Sequence, residues 1–335
     1  MSNPYKSKGE DQFWRTAIAN VPTDQVTPIR PRAFTLPPGT VMSTAGSCFA
    51  QHIARHLRTE PNVKILQTEP IGPNQPNYSA LYGNIYTARQ LIQLFEETFG
   101  RRTPQDIVIQ RADGRCVDAL RPYIFADGFA DAAEVLAARK EHLAAVKRVF
   151  TDCSVFVFTV GLTEVWLSQK DGTAYPVAPG VVSEGVNDAD YVFHNLTYDE
   201  VLADLDTFVK ALVKINPKVR IILTVSPVPL TATYTDEHVL VATTYSKSVL
   251  RAVCAALEAR FDNICYFPSY EIITGPYSRG AYYEANLREV AEVGVAHVMR
   301  VFKTTFIGKQ PASLFADDDD QVICDEEEIV KSVGF

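Results

Sequence analysis

Apolar residues recur along this chain in two alternating rhythms. Short runs rich in β-prone residues are each followed by a longer stretch whose apolar positions repeat at helical spacing. Val41-Met-Ser-Thr-Ala45 predicts a short strand, and Phe49, Ile53 and Leu57 fall on one face of the helix expected after it. Val63 to Leu66 is a second strand candidate, Thr87 is a cap for a helix running to about Phe99, and Glu134 to Val149 reads as an amphipathic helix. Val155-Phe-Val-Phe-Thr-Val160 and Val219 to Val225 are continuous apolar runs, as expected of strands buried on both faces. Tyr198 to Ile215 reads as the helix between them. Thr244 to Arg260, Ile264 to Phe267 and Asn286 to Phe302 complete the series as helix, strand and helix.

Strand followed by helix, five times over, implies a parallel sheet with helices on both faces. The expected class is therefore α/β: a three-layer α/β/α sandwich around a mainly parallel five-stranded sheet, with hairpin insertions. Ala112-Asp-Gly114 between Ile107–Ile109 and Cys116–Leu120 signals one hairpin, and Lys170-Asp-Gly172 signals another over 165–178. Residues 1–38, rich in Pro and polar groups, read as an arm wrapped on the body with Trp14 as its anchor. Residues 39–309 read as the folded domain, and 310–335 as an acidic, disordered tail.

Charge sharpens that division. The net charge is −8, and eight acidic residues lie at 317–320 and 325–328, so without them the body is neutral. A neutral body with no basic stripe argues against nucleic acid as a partner. The six cysteines are scattered, without the spacing of a zinc site, and Cys153 and Cys265 lie in or beside apolar strands, where buried thiols are expected. The chain opens MSNPYKSKGED, with no apolar leader, and no run reaches the length of a membrane span. The expectation is a reduced, cytoplasmic protein.

In such sheets ligands bind beyond the carboxyl ends of the strands, which directs attention to Gly46-Ser-Cys48. Gly permits a sharp turn out of the first strand. Cys48 then opens a helix, where N–H groups favour a thiolate. Ser47 is the competing nucleophile, or a helix cap beside a buried Cys.

Of the histidines, His238 in Asp236-Glu-His238 is the candidate base, because its loop leaves the carboxyl side of the strand ending at Val225. Its alternative is an exposed loop histidine, and Asp236, Glu237, Glu164 or Glu271 are candidates to orient it. His52, one helical turn after Cys48, is placed to favour a thiolate electrostatically or is an ordinary helix residue. His142 reads as a surface residue, His297 as structural and His194 as a helix-entry residue. Lys247 reads either as a group that binds a substrate anion or pairs with a carboxylate, or as an exposed lysine. Tyr78, Tyr82 and Tyr86 read as core, or as stacking surfaces for a sugar.

Ala45-Gly-Ser-Cys-Phe-Ala50 resembles the signature of the GSCFA family, a branch of the SGNH/GDSL hydrolase and acyltransferase superfamily. Tyr82-Gly-Asn-Ile-Tyr-Thr87, Thr159-Val-Gly-Leu-Thr-Glu-Val-Trp166, Thr224-Val-Ser-Pro-Val-Pro-Leu230, Thr244-Tyr-Ser-Lys-Ser248 and Tyr266-Phe-Pro-Ser-Tyr-Glu271 carry the resemblance from about Trp14 to Phe306. It implies an SGNH-type, flavodoxin-like sandwich that hydrolyses or transfers acyl esters, on an acylated glycan, without cofactor or metal. A catalytically inactive binding module for a glycan or partner is the alternative. Laid on the superfamily's Gly-Asp-Ser block, Cys48 takes the nucleophile's place. Gly83 matches the oxyanion glycine, Thr163 stands where the oxyanion Asn is expected, and Asn84 is a substitute amide. Asn286-Leu-Arg-Glu289 stands where the superfamily carries Asp-x-x-His, so a base must come from elsewhere.

Overall fold

A computed structural model describes residues 3–28, 34–72, 75–183 and 186–308. The expected acidic tail lies outside the described residues.

The chain runs β1 (Thr40–Gly46), α1 (Phe49–Arg58), β2 (Val63–Ile65), α2 (Ala88–Thr98), β3 (Val108–Gln110), β4 (Cys116–Asp118), α3 (Ala132–Thr151) and β5 (Val155–Val160). It continues through β6 (Glu164–Ser168), β7 (Ala174–Tyr175), α4 (Pro179–Val182), β8 (Tyr191–Asn195), α5 (Tyr198–Ile215) and β9 (Arg220–Val225). It closes with α6 (Val239–Arg260), β10 (Ile264–Tyr266), α7 (Ser269–Thr274) and α8 (Glu292–Phe306).

The main sheet has the order β10-β9-β5-β1-β2 and is parallel throughout. Alternation along each strand divides its side chains between two cores. On β5, Phe156, Phe158 and Val160 pack with α2, α3, α5 and α6, whereas Val155 and Val157 pack with α1, α7 and α8. On β9, Ile221, Leu223 and Val225 face the first core and Ile222 the second. This is the three-layer α/β sandwich expected from the sequence.

Both hairpin signals correspond to antiparallel pairs: β3 with β4, and β6 with β7. β8 extends the second pair into a three-stranded sheet along the whole of β6. The hydrophobic pattern did not announce β8, whose residues are mostly half-buried. Helix starts carry their own signals. In α2, Thr87 caps Gln90 N and the Gln90 side chain returns to Thr87 N; Thr197 and Glu200 repeat this reciprocal cap in α5.

Two helices begin away from their expected positions. α6 starts at Val239 rather than Thr244, because His238 caps it and its first turn leaves Leu240 and Val241 exposed, outside the apolar periodicity. α8 starts at Glu292 rather than Asn286. Asn286 Oδ1 accepts the N–H groups of Arg288 and Glu289, and Leu287 takes φ +56°, so the segment forms a turn.

Trp14 is exposed, and the arm is fastened further along. Val26 O lies 2.7 Å from His297 Nε2, and Leu36 N donates to Phe306 O at 2.7 Å. No helix among the described residues is long and apolar enough to cross a membrane.

Candidate active site

The turn from β1 into α1 lies at the carboxyl edge of the central strands. Gly46 pairs with Thr159 of β5, at φ +139°, and a Cβ there would stand 2.4 Å from Thr159 O. Only glycine lets the two backbones approach so closely. Ser47 N then donates to Thr159 O at 3.1 Å, and α1 begins.

Ser47 is 2% exposed and its Oγ is buried with no hydrogen-bond partner. Cys48 is buried too, at the first position of the helical turn, with backbone φ −50° and ψ −35°. Helix starts leave N–H groups without helical acceptors. In α1, those of Ala50 and Gln51 close onto Ser47 O and Cys48 O.

Two further segments close on this turn. Ile85 N donates to Gly46 O at 2.8 Å, and the Tyr78 hydroxyl bridges Ser47 O at 2.9 Å and Asn84 Oδ1 at 2.5 Å. These contacts carry Gly83, at φ +71°, and Asn84 to the turn. From the other side comes the segment after β5. A Cβ on Gly161 would meet Ser47 Cβ at 3.0 Å and Tyr86 O at 3.2 Å, so Gly161 is the wall against which Ser47 packs. Gly161 N and Leu162 N both donate to Tyr86 O. Lys247, 1% exposed on α6, donates through Nζ to Gly161 O at 2.7 Å. Ser47, Asn84, Gly161 and Lys247 are thus linked at the turn, whereas Cys48 packs in the second core with α1, α7 and α8.

The remaining candidates are engaged elsewhere. Thr163 is fully buried; its hydroxyl donates to Asn195 Oδ1 at 2.7 Å and its N–H to Ser246 Oγ at 3.0 Å. Glu164 accepts from Thr233 Oγ1 at 2.5 Å and from Tyr234 N at 3.1 Å. Glu271 is held by Arg251 Nε at 2.5 Å and by the Tyr266 hydroxyl at 2.7 Å. His238 is exposed, and its Nδ1 accepts Leu240 N–H at 3.2 Å. With Nδ1 an acceptor, a neutral ring carries its proton on Nε2.

His52 follows Cys48 by one turn, but burial first, then Arg55 and His56, push its pKa down to about 3. A neutral ring lends no electrostatic support to a thiolate. Burial pushes the thiols of Cys153 and Cys254 up to about 11 and about 12, so neither is a competing nucleophile.

His142 corrects the surface expectation. It is 1% exposed, with Nδ1 2.8 Å from Glu69 Oε2, and burial above all lowers its pKa to about 4. The same Glu69 oxygen accepts Leu81 N–H, while Leu81 O accepts from Arg121. Arg121 and Arg139 both pair with Asp118, and Arg139 also pairs with Glu97. Burial raises the Asp118 carboxyl, yet the two guanidinium groups outweigh it and hold the pKa below its ordinary value. This network grips the backbone just before Tyr82-Gly83-Asn84. Sequence reading missed Asn195, Ser246 and the bridging role of Tyr78, because each acts on a residue distant in the chain. Among the described residues, no group of three or more His, Cys, Asp or Glu gathers to hold a metal.

No curated protein matches the chain significantly. A solved structure described as a GDSL-like lipase from Parabacteroides merdae is similar at 12% identity and a TM-score of 0.34, covering 83% of this chain and 100% of that one. A variant of an acetyl-xylooligosaccharide esterase from a Geobacillus species is similar at 12% identity and a TM-score of 0.33, covering 81% and 96%. The model of the GSCFA family matches residues 41–302, from β1 into α8, taking in the Gly46-Ser-Cys48 turn and every strand of the main sheet; the chain belongs to the GSCFA family.

Proposed function

We propose that the protein acts on an ester bond, as an SGNH-type hydrolase or O-acyltransferase, with Cys48 or Ser47 as nucleophile. The observation that carries this reading is the Ser47 hydroxyl. It is buried without a partner at the end of a central parallel strand, beside Gly161 and the start of α1. A buried hydroxyl left unsatisfied costs about 1–3 kcal/mol, so a ligand is the reasonable claimant of its hydrogen bond.

In the proposed reaction the Cys48 thiol, or the Ser47 hydroxyl, adds to the ester carbonyl carbon. The departing proton passes to a base and then to the leaving alcohol as the acyl–oxygen bond breaks. The oxyanion is held by N–H groups at Cys48 and Gly83, with Asn84 in support; Thr163, whose hydroxyl and N–H go to Asn195 and Ser246, braces the wall instead. The acyl-enzyme then passes its acyl group to water or to a second hydroxyl. We assign the base to His238, which must release Leu240 N–H to accept a proton on either nitrogen. Lys247 orients the wall through Gly161 O, and Glu164 and Glu271 act as supports of the surrounding loops. A glycan is the alcohol side that the family resemblance implies.

A binding module is the second reading, favoured by the turn that Asn286 and Glu289 form in place of an acid and a base. Turnover of a short-chain aryl ester by wild type, Ser47→Ala, Cys48→Ala and His238→Ala separates the two. Loss of at least about a hundredfold in Cys48→Ala and His238→Ala, with the fold intact, supports the acyl-enzyme route. The same loss in Ser47→Ala, with Cys48→Ala active, moves the nucleophile by one residue. Ser47→Ala is also expected to melt no lower than wild type, since it removes an unsatisfied buried hydroxyl. Absence of turnover and of labelling by an ester-directed inhibitor, with no transfer to any offered alcohol, leaves the binding module standing.

A further inference from the structure

Beside the converging turn lies a cleft of about 320 Å³. Its inner wall includes Tyr86 and Leu162, the two residues whose backbones bond to each other immediately behind Gly161. Its outer wall is aromatic. Trp166 on β6 lies edge-on to Tyr234, with ring centroids 4.7 Å apart, and Phe193 on β8 lies 5.2 Å from Tyr234. Glu164 holds this wall in place by taking Thr233 Oγ1 and Tyr234 N, which fixes the 231–235 loop over β6.

Several of the polar atoms around the cleft are committed. Both Glu164 oxygens are taken, the Tyr175 hydroxyl donates away to Asp106 O at 3.0 Å, and Gln90 Oε1 accepts from Tyr86 N and Thr87 N. A sugar buried here would find few acceptors for its hydroxyls, at a cost for each one left unpaired. An alkyl or aryl group has no hydroxyl to leave unpaired and gains from each methylene removed from water.

We propose that this cleft binds the apolar acyl chain of the substrate, making the substrate class an ester of a medium-length fatty or aryl acid. This rests on the ester-bond reading for its catalytic consequence, but not for the binding itself. The glycan expected from the resemblance then belongs on the alcohol side, outside the cleft.

Binding is read without turnover. The chain has two tryptophans, so Trp14→Phe leaves Trp166, in the cleft wall, as the only one. Octanamide is expected to change the emission of that protein saturably, and acetamide to leave it unchanged at about a hundredfold higher concentration. Ala178→Phe, which fills the cleft, is expected to weaken the octanamide response by at least about tenfold. Ala232→Phe serves the same purpose should the first variant melt early. In parallel, p-nitrophenyl octanoate is expected to exceed the acetate in kcat/KM by at least about tenfold, and the filling variants to abolish that preference while retaining acetate turnover. An octanamide response without ester turnover or transfer to an offered alcohol upholds the cleft and sinks the ester-bond reading. Ester turnover without chain-length preference or octanamide response overturns the cleft and leaves the esterase reading intact. Silence in both overturns both.

Discussion

At Gly46 the backbone leaves β1 with a positive φ and passes within bonding distance of β5. A methyl group would be forced against the Thr159 carbonyl, an atom of the neighbouring strand that has no room to move. Gly46→Ala is therefore expected to lower stability by more than about 2 kcal/mol, read as a fall in the urea midpoint at unchanged slope. A variant as stable as wild type would mean that the strands separate freely here, and that the close approach holds nothing together. This residue was legible in the sequence as a glycine directly after an apolar run. The Tyr78 hydroxyl and Asn195 were not, because a hydrogen bond between segments so far apart in the chain leaves no periodic trace.

Among the elements, α3 shows why a helix face is misread. Its inward positions include Arg139 and His142, which look solvent-facing in a hydrophobic pattern but meet Asp118, Glu97 and Glu69 inside the protein. Polar residues mark a surface only when no opposite charge waits behind them. The strands and both hairpins were legible because each carries an apolar run or a turn dipeptide, whereas β8 is paired along one edge and carried neither. Arg139→Met leaves Asp118 and Glu97 buried with half their compensation, and is expected to cost about 3–5 kcal/mol. Thermal melting checks the magnitude. Faster amide exchange at Leu81 to Asn84 than in the rest of the sheet checks that the network positions that loop. Exchange that rises uniformly would reduce the network to general stability.

On the scale of the whole molecule, three histidines make folding depend on pH, since burial also lowers the pKa of His297. His52 and His142 have native pKa values of about 3 and about 4, below the ordinary 6.5. As pH falls through 6.5 the unfolded chain takes up these protons and the native protein does not. Their contribution is complete above that point and is lost toward pH 4 and below, at about 1.4 kcal/mol per pH unit for each histidine. Urea midpoints are expected to fall between about pH 7 and pH 5, and His52→Gln to flatten part of that fall. A midpoint constant over this range would show that the rings protonate in place.

The pairing of β1 with β5 bears on how the protein is made. The turn that bears Ser47 and Cys48 is translated before its sheet partner, its Gly161 wall and the lysine behind that wall, all of which follow much later in the chain. A nascent or truncated chain ending before β5 has the signature residues and no site around them. Contacts of such long range make for slow folding, so the surroundings of the turn assemble only after the segment through Lys247 has left the ribosome. Until then its serine and cysteine stand on an open strand without the neighbours that bury them.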